Sequence, residues 1–249
     1  MRDLIDRFTT DLTILDRKVV FSLLYTAFGL GAIFYLKEPE NINSLLRHAN
    51  SPWLFYSSSN NLPVLGLWAA VATTFYFIIP AIAIRYFFRE SLSDYGLNMR
   101  IENGFGRLVA TAFAIMLPIV YLMSLTNSFA DKYPFLKIYD GEPYLGTTLL
   151  IWELIYFVQF FGLEFFFRGF LVHSLKPALG IYSIFAMTVP YTMIHFGKPP
   201  AETFAAIIAG VLLGWLSYRN GTIWLGFALH CGVAFSMDVL ALYNRGLLF

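Results

Sequence analysis

Hydrophobic residues in this chain occur in long runs, and polar residues are concentrated in the stretches between them. A helix needs about 20 mainly apolar residues to cross a lipid bilayer. By this rule the pattern predicts about seven transmembrane helices, at residues 19–36, 64–84, 108–125, 147–162, 178–196, 203–218 and 223–243. The fourth run can extend to His173, and the sixth is short. The alternation of apolar and polar residues typical of membrane strands is absent, so we expect an all-α polytopic membrane protein.

Composition agrees with this class. Of the 249 residues, 58% are hydrophobic and 13% are charged, whereas a soluble domain is about 25% charged. The net charge is +1 and no basic run occurs, so we expect no nucleic-acid partner. The single cysteine, Cys231, excludes an intramolecular disulfide and a cysteine-rich metal site.

The distribution of Lys and Arg between the predicted spans indicates an orientation. With the N-terminus in the cytoplasm, the cytoplasmic side holds eleven of these residues and the opposite side holds six. Because positive charge is enriched on the cytoplasmic side of membrane proteins, this count predicts a cytoplasmic N-terminus and an exterior C-terminus.

The chain shows no domain boundary and no internal repeat, so 1–249 is expected to form a single membrane domain. Gly210 and Gly214 form a small-xxx-small pair in the sixth predicted span, and this spacing permits close packing between helices.

Ionisable residues inside the predicted spans are few and unevenly placed. Each costs roughly 2.5–3.5 kcal/mol near the bilayer centre and usually faces a bundle interior or a hydrated cavity. All of them fall in the last four spans: Glu153, Glu164, Arg168, His195, His230 and Asp238. We therefore expect a polar site within 147–249, with 1–146 acting as a scaffold of spans and loops.

Glu164 and Arg168 are four residues apart and can pair on one face of a helix. Taken alone, they are equally well explained as a structural ion pair, with Arg168 extending to the membrane surface. A single intramembrane histidine is often a packing residue. Two histidines, His195 and His230, on separate spans beside a carboxylate and a guanidinium favour chemistry, since imidazole can accept a proton, bind a metal or polarise a carbonyl.

Two further carboxylates are secondary candidates. Glu153 lies three helical turns before Glu164, about 16 Å away, so these two cannot share a proton. Asp238 lies two turns beyond His230, on a neighbouring strip of the same helix. We expect Glu153 and Asp238 to connect helices rather than to catalyse.

Three segments together resemble a known family. They are "EFFFRGFL", starting at Glu164, then "PYTMIHF", ending just after His195, and "LHCGVAF", which contains His230. In order and spacing they resemble the CPBP family of CAAX prenyl proteases and bacteriocin-processing membrane proteins, also called the ABI family. The resemblance covers roughly residues 153–242. It implies a membrane-embedded protease.

The family motifs are E-E-x-x-x-R, F-x-x-x-H and H-x-x-x-N. Glu164 matches the second glutamate of the first motif, and Arg168 matches its arginine. His195 matches the histidine of the second motif, with Tyr191 in place of the phenylalanine, and His230 matches the histidine of the third.

Two positions depart from these motifs. Leu163 stands where the first glutamate belongs, and Ala234 stands where the asparagine belongs. The resemblance implies that the first glutamate and a histidine activate water, while the asparagine and the other histidine stabilise the oxyanion. Neither leucine nor alanine can perform these tasks.

The resulting hypothesis is an endopeptidase that cleaves a membrane-associated, prenylated or leader-type substrate. Glu164, alone or with His195, would deprotonate water, His230 would stabilise the oxyanion, and Arg168 would hold the glutamate. Glu202, seven residues after His195, is a candidate second carboxylate. The expected partners are membrane lipids and the substrate, and the small size suggests a bacterial plasma membrane by resemblance.

Alternatives remain at this point. A zinc site would use Glu164, His195 and His230 as ligands, with water in an open position, although the family mechanism needs no cofactor. A catalytically inactive scaffold or immunity-like protein is favoured by Leu163 and Ala234. A transporter would need discontinuous helices and paired repeats, and a rhomboid-type serine protease lacks a suitable serine motif.

Overall fold

The computed structural model describes residues 15–38, 41, 62–98, 104–137 and 146–247. Within these ranges the regular structure is helical and contains no strand. The helices are α1 Arg17–Leu36, α2 Leu62–Phe88, α3 Phe105–Ser124, α4 Asn127–Lys132, α5 Thr147–Leu179, α6 Tyr182–Met193, α7 Pro200–Asn220 and α8 Trp224–Asn244. All except α4 and α6 are long and apolar enough to cross a membrane. The predicted all-α polytopic membrane protein is confirmed.

Two predicted spans have different bounds in the structure. The fourth, 147–162, continues as α5 to Leu179 and is 33 residues long. The fifth, 178–196, is replaced by the 12-residue helix α6, which is only about 18 Å long. Two residues that flank α6 explain the change: Gly180 adopts a positive φ of 53° that ends α5, and Pro200 begins α7.

One end of the bundle, termed the first end, joins the start of α1 to the end of α2. Lys18 pairs with Glu90, with Nζ 2.6 Å from Oε2. The segment after α2 also meets the start of α8, since the Ile223 amide donates to the Gly96 carbonyl at 3.3 Å.

The opposite end, termed the second end, joins the segments that follow α3, α6 and α8. Lys198 Nζ donates to the Tyr133 hydroxyl at 2.8 Å, and Arg245 Nη2 donates to the Tyr133 carbonyl at 2.8 Å. Despite the shortness of α6, seven of the described helices, all except α4, pass from one end to the other. The start of α1 and the end of α8 lie at opposite ends, as an odd number of passes requires.

The orientation relative to the cytoplasm stays a prediction. Four of the basic residues that it counts, Arg2, Arg7, Arg47 and Arg100, lie outside the described residues.

The segment that opens the family resemblance forms the centre of the aromatic core. Phe165–Leu171 is a π-helical stretch of α5, and all seven of its residues are buried. Its phenylalanine rings pack against Tyr25 of α1 and Tyr76 of α2. Stretches of π-helix within α-helices occur frequently at functional sites. Here the π-helical stretch anchors the scaffold helices directly beside Glu164.

Helices α6 and α7 approach closely. A Cβ added to Gly210 would lie 2.9 Å from the Thr188 methyl group, and one added to Gly214 would lie 2.7 Å from the end of Met187. The packing role predicted for this glycine pair is therefore confirmed, and it places the end of α6 firmly against α7.

Candidate active site

Glu164 is the last residue of the α-helical part of α5 and has no solvent exposure. Its Oε1 lies 3.1 Å from Nη1 of Arg168 and 2.7 Å from Nδ1 of His230. A buried carboxylate is costly unless it is paired, and here two partners from α5 and α8 surround one oxygen. The predicted pairing of Glu164 with Arg168 is confirmed.

Arg168 is almost completely buried, so it does not extend to the membrane surface. Its guanidinium lies over the ring of Tyr191 at 3.9 Å from the centroid. The arginine is therefore held between a carboxylate and an aromatic face, and both interactions stabilise its charge.

His230 connects Glu164 to Tyr191. Its Nδ1 faces Glu164, and its Nε2 lies 3.0 Å from the Tyr191 hydroxyl. The imidazole also stacks on Phe160, with ring centroids 5.2 Å apart. For a neutral ring this arrangement places the proton on Nδ1, so that Nε2 accepts from the hydroxyl. These contacts hold the ring in one orientation.

His195 lies in the turn that follows α6. Its Nδ1 lies 2.8 Å from the Tyr191 carbonyl, so the ring donates there and keeps Nε2 as an acceptor. Its ring is 4.8 Å from that of Tyr191. The four residues predicted as catalytic are therefore brought together around Tyr191.

Two residues of the cluster had no functional assignment from the sequence. Tyr191 stands where the family has phenylalanine. The hydroxyl that tyrosine adds at this position is the sequence feature that could have indicated its role in the site. Gly226 on α8 leaves room for Glu164, because an added Cβ would collide with that carboxylate.

A cavity of about 1010 Å³ extends into the bundle between α1, α2, α5 and α6. Aromatic and aliphatic side chains make up most of its wall, and His195 and Gln159 contribute polar groups. Leu163 lines this cavity, whereas Glu164, Arg168 and His230 do not. The position that carries the first family glutamate is thus the one facing the cavity, and an apolar side chain occupies it.

The second departure is also explained by packing. Ala234 is buried on α8 in a cluster that includes Trp152, Tyr156 and Phe160. The asparagine position therefore contributes to the apolar core.

The secondary candidates lie away from Glu164. Glu202 accepts from the Tyr133 hydroxyl at 2.9 Å and from Lys198 Nζ at 3.0 Å, at the second end. Asp238 accepts from Trp152 Nε1 at 2.9 Å and so connects α8 to α5. Glu153 is buried beside Asp238. The prediction that Asp238 connects helices is therefore confirmed.

The residues named for a zinc site do not form a set of metal ligands. The described part of the chain has no group of three His, Cys, Asp or Glu side chains arranged to hold a metal ion. Glu164 and His230 bind each other, and His195 binds a backbone carbonyl. The zinc alternative stays a prediction that elemental analysis of the purified protein tests.

Comparison with known families matches residues 145–236 to the model of Rce1-like proteins, described as type II CAAX prenyl endopeptidases. Comparisons with curated proteins and with solved structures found no match. The matched segment contains Glu164, Arg168, His195 and His230, together with the tyrosine that joins them. The resemblance read from the sequence is thus confirmed for residues 145–236, which match the model of the Rce1-like proteins of the CPBP family.

Proposed function

We propose that this protein is an intramembrane endopeptidase that hydrolyses a peptide bond in a membrane-associated, prenylated or leader-type substrate. The observation that carries the proposal is the convergence of Glu164, His230, Tyr191 and His195 beside a large cavity. Ionisable groups inside a membrane bundle mark functional sites, and the cluster lies within the matched protease domain.

His195 is the proposed general base. It lines the cavity, and its Nε2 is left as an acceptor for the proton that water loses as its oxygen attacks the carbonyl; the resulting imidazolium then gives this proton to the leaving amine. Glu164, which the sequence favoured for this role, is fully buried against Arg168 and His230 and does not line the cavity. A well-placed general base contributes about 10²–10⁴ in rate.

His230 is the proposed donor to the oxyanion: it does not line the cavity wall, but its side chain is 18% exposed, whereas that of Glu164 has no exposure, so a substrate carbonyl can approach it. In the imidazolium form, which has taken a proton from solvent before the attack, its Nε2 donates, while the Glu164 carboxylate stabilises the positive charge through Nδ1. Glu164 and Arg168 then act as positioning residues, because they hold this ring without touching the substrate. Loss of one such donor costs about 10²–10³ in rate.

The test is cleavage of prenylated and leader-type peptides by the full chain in detergent, followed by mass spectrometry. We expect His195→Ala to reduce kcat by about 10²–10⁴ and His230→Ala by about 10²–10³. Glu164→Ala removes most activity, because it leaves Arg168 as an unpaired buried charge. Glu153→Ala is the matched control and retains activity. If Glu164→Ala or His195→Ala cleaves at the wild-type rate, the assignment is wrong.

An inactive membrane scaffold or immunity-like protein is the second candidate. Leu163 in the cavity wall and Ala234 in the apolar core favour it, since neither can take part in proton transfer or hydrogen bonding. A folded wild-type protein that cleaves none of the peptides would support this candidate and reject the enzyme.

A further inference from the structure

Three lysines from separate parts of the chain line one cavity. Lys37 follows α1, Lys132 ends α4, and Lys198 lies in the turn between α6 and α7. They meet at the second end, while the rest of the cavity wall is mostly aromatic and aliphatic. The cavity therefore combines an apolar interior with a positively charged part.

The positive charge is only partly offset by neighbouring carboxylates. Lys198 pairs with Glu202 at 3.0 Å, and Lys37 is 3.7 Å from the exposed Glu38. Among the residues that the structure describes, no carboxylate lies within ion-pair distance of Lys132.

The electrostatic surroundings of Lys132 also show an excess of positive charge. Partial burial, followed by the charges of Lys198 and Lys37, lowers the pKa of its ammonium group, and Glu202 offsets this only in part. An anion placed among the three lysines would relieve this repulsion and stabilise all three charges.

We propose that Lys37, Lys132 and Lys198 bind a carboxylate of the substrate, while the apolar part of the cavity holds its neighbouring hydrophobic side chains. The inference rests on the proposed function, and it names a substrate feature of the same site. Lysine suits this task because its ammonium group is a point charge on a flexible stem. The volume, about 1010 Å³, is at the upper end of the roughly 300–1,000 Å³ typical of ligand pockets.

The position of the lysines relative to His195 limits where that carboxylate lies in the substrate. The Lys198 amide donates to the His195 carbonyl at 3.0 Å, so the two residues share one turn. A carboxylate held by the lysines is therefore within a few residues of the peptide bond attacked by the water that His195 deprotonates. It comes either from the C-terminus of the substrate or from an acidic side chain.

The experiment compares three fluorescent peptides that share one apolar sequence. One has a free C-terminus, the second is amidated, and the third is amidated but contains one aspartate. Their affinities for the His195→Ala variant are measured by anisotropy in detergent, so that binding is read without turnover. Cleavage of the same peptides by the wild type is measured in parallel.

We expect a peptide with a carboxylate to bind about tenfold more tightly than the neutral one. Adding Lys132→Gln or Lys37→Gln abolishes this preference, and Lys132→Arg restores it. The control, Lys176→Gln, removes a lysine whose Nζ donates to the Tyr218 carbonyl outside the cavity, and it leaves the preference intact. The free C-terminus is the source if only the first peptide is preferred, and an acidic side chain if only the third is.

The inference is overturned if the preference is absent, or if it survives both lysine-to-glutamine variants. Cleavage without charge preference would reject the inference and leave the endopeptidase standing. Charge-dependent binding without cleavage by the wild type would support the lysine site and reject the endopeptidase. If Lys132→Gln does not fold, the measurement on Lys37→Gln decides.

Discussion

A single carboxylate illustrates how strongly neighbouring residues determine chemistry in this protein. Glu164 is fully buried, and its charge is tolerated because Arg168 and His230 contact the same oxygen. The neighbouring residue, Leu163, faces the cavity instead. Consecutive helical residues point about 100° apart, so a shift of one position decides between a buried positioning group and a group that touches substrate.

At the residue scale, Gly226→Ala should disrupt this arrangement. The new methyl group would overlap the Glu164 carboxylate, and overpacking of this kind costs about 1–3 kcal/mol. We expect a lower unfolding temperature in detergent and loss of peptidase activity. Gly66→Ala is the control, because a Cβ there meets no atom within 4 Å. If both variants have the same unfolding temperature and the same peptidase activity, Gly226 does not confine the Glu164 carboxylate.

At the scale of elements, the short helix α6 depends on its neighbour. Its 12 residues carry Tyr191 and lead directly to His195, yet they are too few to span a bilayer alone. Close packing on α7 compensates, since Gly210 and Gly214 allow the two backbones to approach. The position of the His195 imidazole is therefore set by contact between two helices.

Gly210→Ala tests this dependence. An added Cβ would lie 2.9 Å from Thr188 and 3.1 Å from the Tyr191 ring, so α6 must shift. We expect stability to fall by about 1–3 kcal/mol and kcat to fall with it, as His195 moves. Gly106→Ala on α3, where the added atom meets open space away from the cavity, should change neither quantity. Wild-type kcat and melting temperature in the Gly210 variant would contradict the packing argument.

At the scale of the whole molecule, seven passes place the start of α1 and the end of α8 at opposite ends. The first end is the one that the count of basic residues assigns to the cytoplasm. The lysine part of the cavity belongs to the second end, so the proposed substrate carboxylate would be bound near the exterior face.

Cysteine labelling tests this topology. Asp94 is exposed at the first end and Ser128 at the second, and the native Cys231 is buried and can be replaced by alanine. In intact cells a membrane-impermeant maleimide should label the Ser128→Cys variant, and the Asp94→Cys variant only after permeabilisation. The reverse pattern would show the opposite orientation, and labelling of both from outside would reject the odd number of passes.

The class of this protein, most of its helices and the four residues of its polar cluster could be predicted from local features of the sequence. Long apolar runs have few structures open to them in a bilayer, and ionisable residues within such runs are rare enough to be conspicuous. The family motifs at Glu164, His195 and His230 added a reaction class to that cluster. The length of α6 was not predicted, because apolar residues continue through the Gly180 break that ends α5 and into the turn at His195.

Tertiary structure alone decided which groups meet the cavity. The exclusion of Glu164 from the cavity wall, the bond between Tyr191 and His230, and the room left by Gly226 depend on the rotation and separation of different helices. The lysine cluster likewise joins residues that are 95 and 66 positions apart, at 37, 132 and 198. Hydrophobic periodicity reports where a helix forms, whereas contacts between helices are set by side-chain packing that no local pattern encodes.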